Sequence, residues 1–237
     1  MKLPENYDVS SKGAPEHWTE PPAGPALCFS PHPDDEVIGP GGALALHRMR
    51  GDVARVVVAT DGIAGDPDQK FGDLAAKRRA ESRTAMAELF VDDVDFWGFP
   101  DSCVVTEVDL DEIARRAVLE VERVRPRVVY VTWPGEIHGD HRALCAGVLR
   151  GLERCSYDGL VLGYEVWTPM TAEVVLDITP VGERKMRAIG MYETQTAYVD
   201  YVRVIDGLDR YRSLLVGKGK GYFEAFCRLE LDLESKN

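Results

Sequence analysis

The sequence predicts an α/β fold with a mainly parallel sheet. Short runs of apolar or β-branched residues alternate with longer segments of helical composition along most of the chain, which is the order that builds a parallel sheet with helices packed beside it. The runs contain few polar residues, as is typical of strands buried on both faces. Ligands of such sheets bind beyond the carboxyl ends of the strands, so the residues that follow each strand are the candidates for a functional site.

The predicted strands and helices alternate almost regularly. Residues 1–25 hold five prolines and little periodicity, and they are predicted to form an extended polar arm in front of the fold. Buried strands are predicted at residues 26–29, 55–60, 94–97, 128–132, 161–166 and 174–178, with a last apolar stretch at 222–231. Helices are predicted at residues 43–50, 74–90, 110–124, 143–152, 179–189 and 208–216. Asp109 is the predicted N-cap of the third helix, and Thr179 with Pro180 begins the fifth.

Composition limits the partners that the chain can have. The net charge of −12, from 28 basic and 40 acidic residues, argues against binding to nucleic acid or to an anionic membrane, both of which require a basic surface. No run approaches the ~18 apolar residues of a membrane-spanning helix. The five cysteines include no Cys-x-x-Cys pair, and the first residues include no apolar segment of the secretory type. We therefore expect a cytoplasmic protein with reduced thiols.

Ionisable groups are concentrated directly after the first strand, in the sequence Ser-Pro-His-Pro-Asp-Asp-Glu at residues 30–36. One imidazole and three carboxylates in a single turn are costly to bury unless a cation neutralises them. The spacing of His32 and Asp35 lets both side chains converge on one ion from the same turn. Glu36 is predicted to begin a helix or to support the site from behind. A third ligand must come from another part of the chain.

A second cluster, His138-Gly139-Asp140-His141, follows the strand predicted at residues 128–132. His32, Asp35 and His141 would form a set of two imidazoles and one carboxylate, which leaves positions open for water and substrate, as in catalytic zinc sites. The same set suits iron and other divalent metals. Taken alone, each cluster is more typical of a capped helix start or a surface loop. Together, after two buried strands in a chain with five histidines, they favour a metal site.

The other ionisable residues of the clusters suggest catalytic roles in hydrolysis. Asp34 lies beside a ligand but cannot easily share its geometry, so it is free to act as the general base that deprotonates water. His138 could stabilise an oxyanion and then donate a proton to a leaving nitrogen, with Asp140 orienting it and keeping it protonated. The remaining histidines, His17 and His47, lack such neighbours and are predicted to be surface residues.

Both clusters also resemble the signatures of a known family. Residues 31–36 with Gly41 and Gly42, and residues 138–142, are similar to the two signature motifs of the zinc-dependent N-acetylglucosaminyl deacetylases of the PIG-L or LmbE-like family. Shorter similar blocks occur at residues 60–66, 78–81, 98–101, 177–180 and 192–195. The resemblance extends over most of the chain, from about residue 27 to residue 226.

The resemblance implies a Rossmann-like single domain, residues 26–237, with helices on both faces of the sheet. It also implies hydrolysis of acetamides on amino sugars, with His32, Asp35 and His141 as zinc ligands and Asp34 as the general base. For His138 and Asp140 it implies the roles proposed above.

Further residues are candidates for contacts with the sugar. The resemblance points to Arg78 and Asp101, for which a surface ion pair is the alternative, and to Gln195, for which a position at a helix C-terminus is the alternative. Two departures from the family pattern are Pro31, where many relatives have Ala, and the segment at residues 133–137. Pro31 removes a backbone donor at the strand end, and the segment is expected to shape the substrate pocket.

The predicted function is a metal-dependent hydrolase that removes an N-acetyl group from an N-acetylglucosamine-type sugar or glycoconjugate. Zn²⁺ is the expected cofactor, with Fe²⁺ or another divalent metal as the alternative. The expected partner is a small-molecule amino sugar, and a homo-oligomer is compatible with the sequence. Two other functions stay open: a deacylase of an acylated antibiotic or thiol-conjugate intermediate, and a non-catalytic, metal-stabilised carbohydrate-binding protein.

Overall fold

The computed structural model describes residues 13–102 and 105–233. In this part of the chain, eight strands form one sheet with helices on both faces. The strands are β1 (Glu16–Trp18), β2 (Ala26–Ser30), β3 (Ala54–Thr60), β4 (Asp93–Phe99), β5 (Val128–Thr132), β6 (Leu160–Tyr164), β7 (Val174–Asp177) and β8 (Phe223–Arg228). The helices are α1 (Asp35–Ile38), α2 (Gly41–Arg50), α3 (Leu74–Glu88), α4 (Glu107–Val124), α5 (Gly139–Arg154), α6 (Gly182–Ile189), α7 (Glu193–Thr196) and α8 (Tyr201–Arg212). None of the described helices combines the length and the low polarity that a membrane span requires.

The sheet is parallel except where β8 takes part. The strand order is β1-β7-β8-β6-β5-β2-β3-β4, and β8 runs antiparallel to both of its neighbours. β2 lies between β3 and β5, with Cys28 opposite Val56 on one side and Tyr130 on the other. The chain therefore leaves β2 towards one edge of the sheet and later returns to its other side, which opens a crevice at the carboxyl ends of β2 and β5. The predicted α/β fold with a mainly parallel sheet is confirmed.

An apolar core lies on each face of the sheet. Ala26 and Cys28 of β2 belong to the core that includes residues of α1, α2, α3, α6 and α8. Leu27 and Phe29, which point the other way, belong to the core that includes residues of α4 and α5. All residues of β2 are buried. Burial on both faces is the reason why this strand is an unbroken apolar run in the sequence.

The segment before β2 adds a strand to the sheet. β1 pairs in parallel with β7, with His17 opposite Val175, and the guanidinium of Arg228 lies 5.6 Å from the centre of the Trp18 ring. A strand of three residues is too short to show an alternating pattern, so the sequence predicted only an extended arm here. The part of that arm at residues 1–12 lies outside the described residues.

Several predicted helix boundaries differ from the structure. The N-cap of α4 is Thr106, whose hydroxyl accepts the N–H of Asp109 while the Asp109 carboxylate accepts the N–H of Thr106. The prediction of Asp109 as the N-cap was therefore wrong, because it is the acidic partner in a capping box. The Thr179 hydroxyl accepts the N–H of Tyr222 instead of capping α6, and α8 lies earlier in the chain than predicted.

Gly39 joins α1 to α2, directly after the turn that holds His32 and Asp35. A Cβ built on Gly39 would lie 2.2 Å from the Tyr164 ring, and that ring is fixed by a hydrogen bond of 2.9 Å from its hydroxyl to the Phe29 carbonyl. We expect Gly39→Ala to lower the free energy of unfolding by about 1–3 kcal/mol, because overpacking strains the turn. Urea denaturation followed by circular dichroism measures the change.

Gly207→Ala is the matched control for this prediction. Gly207 lies in α8, and a Cβ built there would meet nothing within 4 Å. Alanine should therefore raise the free energy of unfolding by up to about 1 kcal/mol through its higher helix propensity. A Gly39→Ala protein as stable as the wild type would contradict the prediction.

Candidate active site

The two predicted clusters meet at the crevice between the carboxyl ends of β2 and β5. The first cluster forms the turn from β2 into α1, and the second forms the start of α5. The rings of His32 and His141 have centroids 5.2 Å apart, although the residues are 109 positions apart in the sequence. A cavity of about 240 Å³ opens onto His32, Asp34, Asp35 and His138. The topology thus brings together the residues that the sequence proposed as one site.

Three side-chain atoms of the predicted metal ligands form a nearly equilateral triangle. His32 Nδ1 lies 3.1 Å from Asp35 Oδ2, His141 Nε2 lies 3.2 Å from the same oxygen, and the two nitrogens are 3.3 Å apart. Ligand atoms bonded at about 2.0–2.2 Å to a tetrahedral ion are separated by about 3.3–3.6 Å. The donor set therefore fits a divalent cation without a large rearrangement.

The charge around this triangle also favours a bound cation. Burial lowers the pKa of His141, but the adjacent Asp35 carboxylate raises it to about 9. Burial likewise lowers the pKa of His32, and hydrogen bonds with Asp101, Asp140 and Asp35 raise it well above its usual range. Carboxylates that stabilise extra protons on two imidazoles would equally stabilise a metal ion in their place.

Two other groups of side chains at the crevice could hold an ion, and both include His32. In each group, one ligand atom per residue lies within 4.8 Å of the others; the groups are His32, His138 and His141, and His32, Asp101 and Asp140. The carboxylates of the second group already accept backbone N–H groups, from Ala64 to Asp101 and from Ser102 to Asp140. The triangle is the tighter arrangement, and these groups place further polar side chains around it.

Asp34 lies beside the triangle in a strained backbone conformation. Its φ of 146° falls in the region that favours glycine, and such a conformation costs about 1–3 kcal/mol. Glu36 holds the turn, because its carboxylate accepts the N–H of Asp34 at 2.9 Å and the hydroxyl groups of Ser30 and Tyr192. Glu36 is fully buried, and it supports the turn that directs Asp34 into the cavity.

Arg78 is a buried neighbour of Asp34 and not part of a surface ion pair. It is 3% exposed, and its guanidinium donates to the carbonyls of Pro33 and Gly62 at 2.7 and 2.8 Å and lies 3.2 Å from Asp34 Oδ2. Burial raises the pKa of Asp34 to about 7, although the charge of Arg78 acts in the opposite direction. Asp34 can therefore exchange a proton near neutral pH. Contact of Arg78 with a sugar stays a prediction.

The carboxylate of Asp140 does not orient His138. Asp140 Oδ2 lies 3.2 Å from His32 Nε2 and accepts the N–H of Ser102 at 2.8 Å. Only the backbone of Asp140 contacts the His138 ring, by donating its N–H to Nδ1 at 3.2 Å. Burial and the charges of two neighbouring imidazoles lower the pKa of His138 and outweigh the effect of Asp140. The prediction that Asp140 orients His138 was therefore wrong, because the side chain turns towards β2; that Asp140 keeps His138 protonated stays a prediction.

Asp101, the other predicted sugar-binding residue, contacts His32. Its Oδ1 lies 3.1 Å from His32 Nε2, and its Oδ2 accepts the N–H of Ala64 at 2.9 Å. Asp101 and Asp140 therefore share the nitrogen of His32 that points away from the triangle. They favour a proton on Nε2, which leaves Nδ1 available for a metal. Asp101 and Gln195 both line the cavity, and their contact with a sugar stays a prediction.

Glu136 lies in the segment at residues 133–137 that was expected to shape the substrate pocket, but no sequence motif indicated its contact with a metal ligand. It is 1% exposed, and its Oε2 lies 3.4 Å from His141 Nδ1. Its carboxylate also accepts the N–H groups of Val166 at 2.7 Å and of Trp167 at 3.2 Å. One side chain thus supports both a predicted metal ligand and a loop that lines the cavity. An acidic residue between a buried strand and a candidate ligand is the signal that could have indicated it.

We expect Glu136→Gln to weaken zinc binding by about 10–100-fold, because a neutral amide no longer increases the basicity of His141. Titration calorimetry of the metal-free protein with Zn²⁺ measures the affinity. Glu107→Gln is the matched control, since this carboxylate on α4 is 80% exposed and pairs with Arg150. Equal zinc affinity of Glu136→Gln and the wild type would show that His141 needs no support from Glu136.

His47 is buried, contrary to the prediction of a surface residue. Its Nδ1 lies 3.0 Å from Asp52 Oδ2, and its Nε2 lies 3.0 Å from the Tyr130 hydroxyl. Burial lowers its pKa. The prediction was wrong because Tyr130 comes from β5, 83 positions away, so the local sequence of α2 does not reveal this partner. His17 is exposed, as predicted.

Two known proteins with similar sequences are named as deacetylases. The PIG-L family model, described as GlcNAc-PI de-N-acetylase, matches residues 27–151, which include both clusters. The chain is 30% identical over 194 residues to the probable N-acetyl-alpha-D-glucosaminyl L-malate deacetylase 2 of Bacillus subtilis (strain 168), covering 72% of this chain and 82% of that protein. It is also 30% identical over 194 residues to the diacetylchitobiose deacetylase of Thermococcus kodakarensis, covering 71% of this chain and 69% of that protein.

A solved structure shares the fold. The N,N'-diacetylchitobiose deacetylase from Pyrococcus horikoshii, in complex with an inhibitor, matches with a TM-score of 0.72 at 22% identity, covering 86% of this chain and 83% of that protein. At this identity the likeness shows the fold alone. The sequence match is stronger evidence, since it spans the two clusters that meet in the crevice. On that evidence, the chain belongs to the PIG-L family.

Proposed function

We propose that this protein is a metal-dependent hydrolase that removes the acetyl group from the nitrogen of an N-acetylglucosamine-type sugar or glycoconjugate. The observation that carries the proposal is the triangle of His32 Nδ1, Asp35 Oδ2 and His141 Nε2, with edges of 3.1, 3.2 and 3.3 Å. The buried carboxylate of Asp34 lies beside it. Membership of the PIG-L family and the names of two similar proteins support the same reaction.

His32, Asp35 and His141 would hold the metal through these three atoms. A set of two imidazoles and one carboxylate leaves positions open for water and substrate. We propose Zn²⁺ as the ion, and the same donors suit Fe²⁺ or another divalent metal. When bound, a divalent cation polarises the acetamide carbonyl and lowers the pKa of water to near neutrality.

Asp34 acts as the general base. Its carboxylate takes a proton from the water molecule that attacks the acetamide carbon, and Arg78, 3.2 Å from Oδ2, positions it. The same proton can then pass to the nitrogen of the amino sugar as the carbon–nitrogen bond breaks. The products are acetate and a free amine.

His138 stabilises the negative charge that develops on the acetamide oxygen. Its Nδ1 accepts the backbone N–H of Asp140, so the neutral ring carries its proton on Nε2, where it can donate to the oxyanion. Burial lowers the pKa of His138 and favours this neutral form. For this reason we assign proton delivery to the leaving nitrogen to Asp34 and not to His138.

Two alternatives use the same residues differently. Deacylation of an acylated antibiotic or of a thiol-conjugate intermediate would keep the site and change the substrate. Carbohydrate binding without turnover is disfavoured, because binding alone does not require Asp34 to be buried in a strained conformation.

We also propose a cytoplasmic location, from the cysteine pattern, and a single catalytic domain at residues 26–237.

Acetate release tests the proposed function. Zinc-loaded protein is expected to release equal amounts of acetate and amine from at least one member of a panel of N-acetylated amino sugars, chitooligosaccharides and sugar conjugates. Chelation should remove the activity, and added Zn²⁺ should restore it. Faster release of long acyl chains than of acetate would select the deacylase alternative. Sugar binding without turnover by the metal-loaded protein would refute the proposal.

A further inference from the structure

Trp167 is an exposed aromatic side chain at the mouth of the cavity. Trp167 is 55% exposed and lines the cavity. Its ring lies 5.9 Å from the ring of His138, at an interplanar angle of 63°. A large apolar ring left in water next to a catalytic cavity is a feature that often marks a binding surface.

The loop that carries Trp167 is held in place by buried groups. The Glu136 carboxylate accepts the N–H groups of Val166, Trp167 and Thr168 at 2.7, 3.2 and 3.3 Å. The indole of Trp133 donates to the Thr168 carbonyl at 2.9 Å. Because the backbone on both sides of Trp167 is fixed, the loop loses little conformational entropy when a ligand stacks on the ring.

One further wall of the cavity is also apolar or aromatic. Tyr198, Val199 and Tyr201 line it from the segment between α7 and the start of α8. The Tyr198 hydroxyl donates to Asp66 at 2.5 Å, which joins this segment to the loop after β3. Val199 is 41% exposed. These rings offer contact area and few charged groups.

Away from the proposed metal ion, the side chains that line the cavity offer little positive charge to an anionic ligand. Among the described residues that line it, Arg78 is the sole lysine or arginine, beside Asp34, Asp35 and Asp101. Arg78 is 3% exposed and is engaged by Asp34 and two carbonyls. On an adjoining segment, the Lys70 ammonium pairs with Asp68 at 2.8 Å. Apart from the proposed metal ion and the imidazoles of His32 and His138, a carboxylate placed beside the amino sugar would find no free side-chain cation among these lining residues.

From these observations we infer that the site binds an uncharged, ring-shaped group attached to the amino sugar, stacked on Trp167, and selects against an anionic group at that position. The inference rests on the proposed function, because it concerns the substrate of the same site. A second sugar ring and an aromatic ring share the required chemistry, which is an uncharged ring with an apolar face.

Kinetics with matched glycosides test the inference. The substrates are N-acetylglucosamine, N,N'-diacetylchitobiose, a phenyl glycoside of N-acetylglucosamine, and its glycoside with a hydroxy-dicarboxylic acid. We expect kcat/KM for at least one ring-bearing glycoside to exceed that for the dicarboxylate by about tenfold or more. The disaccharide and phenyl arms show which kind of ring is preferred.

Variants of the cavity mouth assign this preference to Trp167. Trp167→Ala should bring the ratio of kcat/KM for the ring-bearing glycoside over N-acetylglucosamine down by about tenfold, and Trp167→Phe should retain most of it. Val199→Lys should raise kcat/KM for the dicarboxylate glycoside, because it supplies a cation. Leu119→Ala, on the exposed face of α4 at 52% exposure, is the control and should leave every ratio unchanged.

Calorimetric binding of the same glycosides to the zinc-loaded protein separates this inference from the proposed function. Loss of ring binding in Trp167→Ala without any acetate release would refute the proposed function and support the inference. Acetate release with a higher kcat/KM for the dicarboxylate glycoside than for the ring-bearing glycosides would overturn the inference alone. The inference would also fail if the ratio of kcat/KM for the ring-bearing glycoside over N-acetylglucosamine were the same in Trp167→Ala and in the wild type. If the zinc-loaded protein neither released acetate from any of these glycosides nor bound any of them, both the proposed function and the inference would be overturned.

Discussion

In the Asp34→Asn variant, kcat for acetate release is expected to fall by about 10²–10⁴-fold, while the protein still binds zinc stoichiometrically. An amide has nearly the size of the carboxylate but cannot take a proton from water. The backbone N–H of residue 34 would keep its hydrogen bond to Glu36, and none of the three triangle atoms belongs to this side chain. The loss should therefore appear in the chemical step and not in folding or metal content.

The pH dependence gives a second readout for Asp34. A protonated carboxyl group cannot act as a base, so kcat/KM of the wild type should fall as the pH drops through the pKa of Asp34. The variant should lose this dependence. Asp111→Asn, on the exposed face of α4, where the carboxylate pairs with Arg150, is the matched control. An Asp34→Asn enzyme with wild-type kcat would mean that another group deprotonates the water.

The second large effect is expected for Asp35. Asp35→Ala should weaken zinc binding by at least about a hundredfold and should abolish activity, since it removes one corner of the triangle. Asp35→Asn is the companion variant, because it preserves the shape of a buried side chain that contacts His32 and His141. Metal analysis by mass spectrometry after dialysis, together with thermal unfolding, separates loss of the ion from loss of the fold.

Metal content also discriminates among the three groups of ligands around His32. If the triangle holds the ion, His138→Ala should retain zinc, Asp101→Ala should bind it at most about 10–100-fold more weakly, and Asp35→Asn should lose it. Loss of zinc from His138→Ala with retention in Asp35→Asn would identify the three-histidine group. Loss of zinc from Asp101→Ala with retention in Asp35→Asn would identify the group with two carboxylates on the outer nitrogen of His32.

Contacts between distant residues were the part of the site that the sequence could not reveal. Glu136 has no motif of its own, and its role depends on how the loop after β5 meets residues 166–168. The Asp140 carboxylate lies two residues from His138 in sequence but turns to His32. The burial of His47 depends on Tyr130, which belongs to a different element. Each of these is a contact between segments, which local spacing does not encode.

The fold class and the identity of the two clusters could be predicted from local sequence patterns. Burial of β2 on both faces leaves an unbroken apolar run, and the spacing of His32 and Asp35 is set within one turn, so both are local properties of the chain. Which atoms of these residues face one another depends on how distant segments of the chain pack together. The parallel pairing of β2 with β5 brings His141 to the first cluster and closes the triangle. The contacts that support this triangle also depend on the tertiary structure, because Glu136 and Asp140 acquire their partners only when separate loops pack at the same crevice.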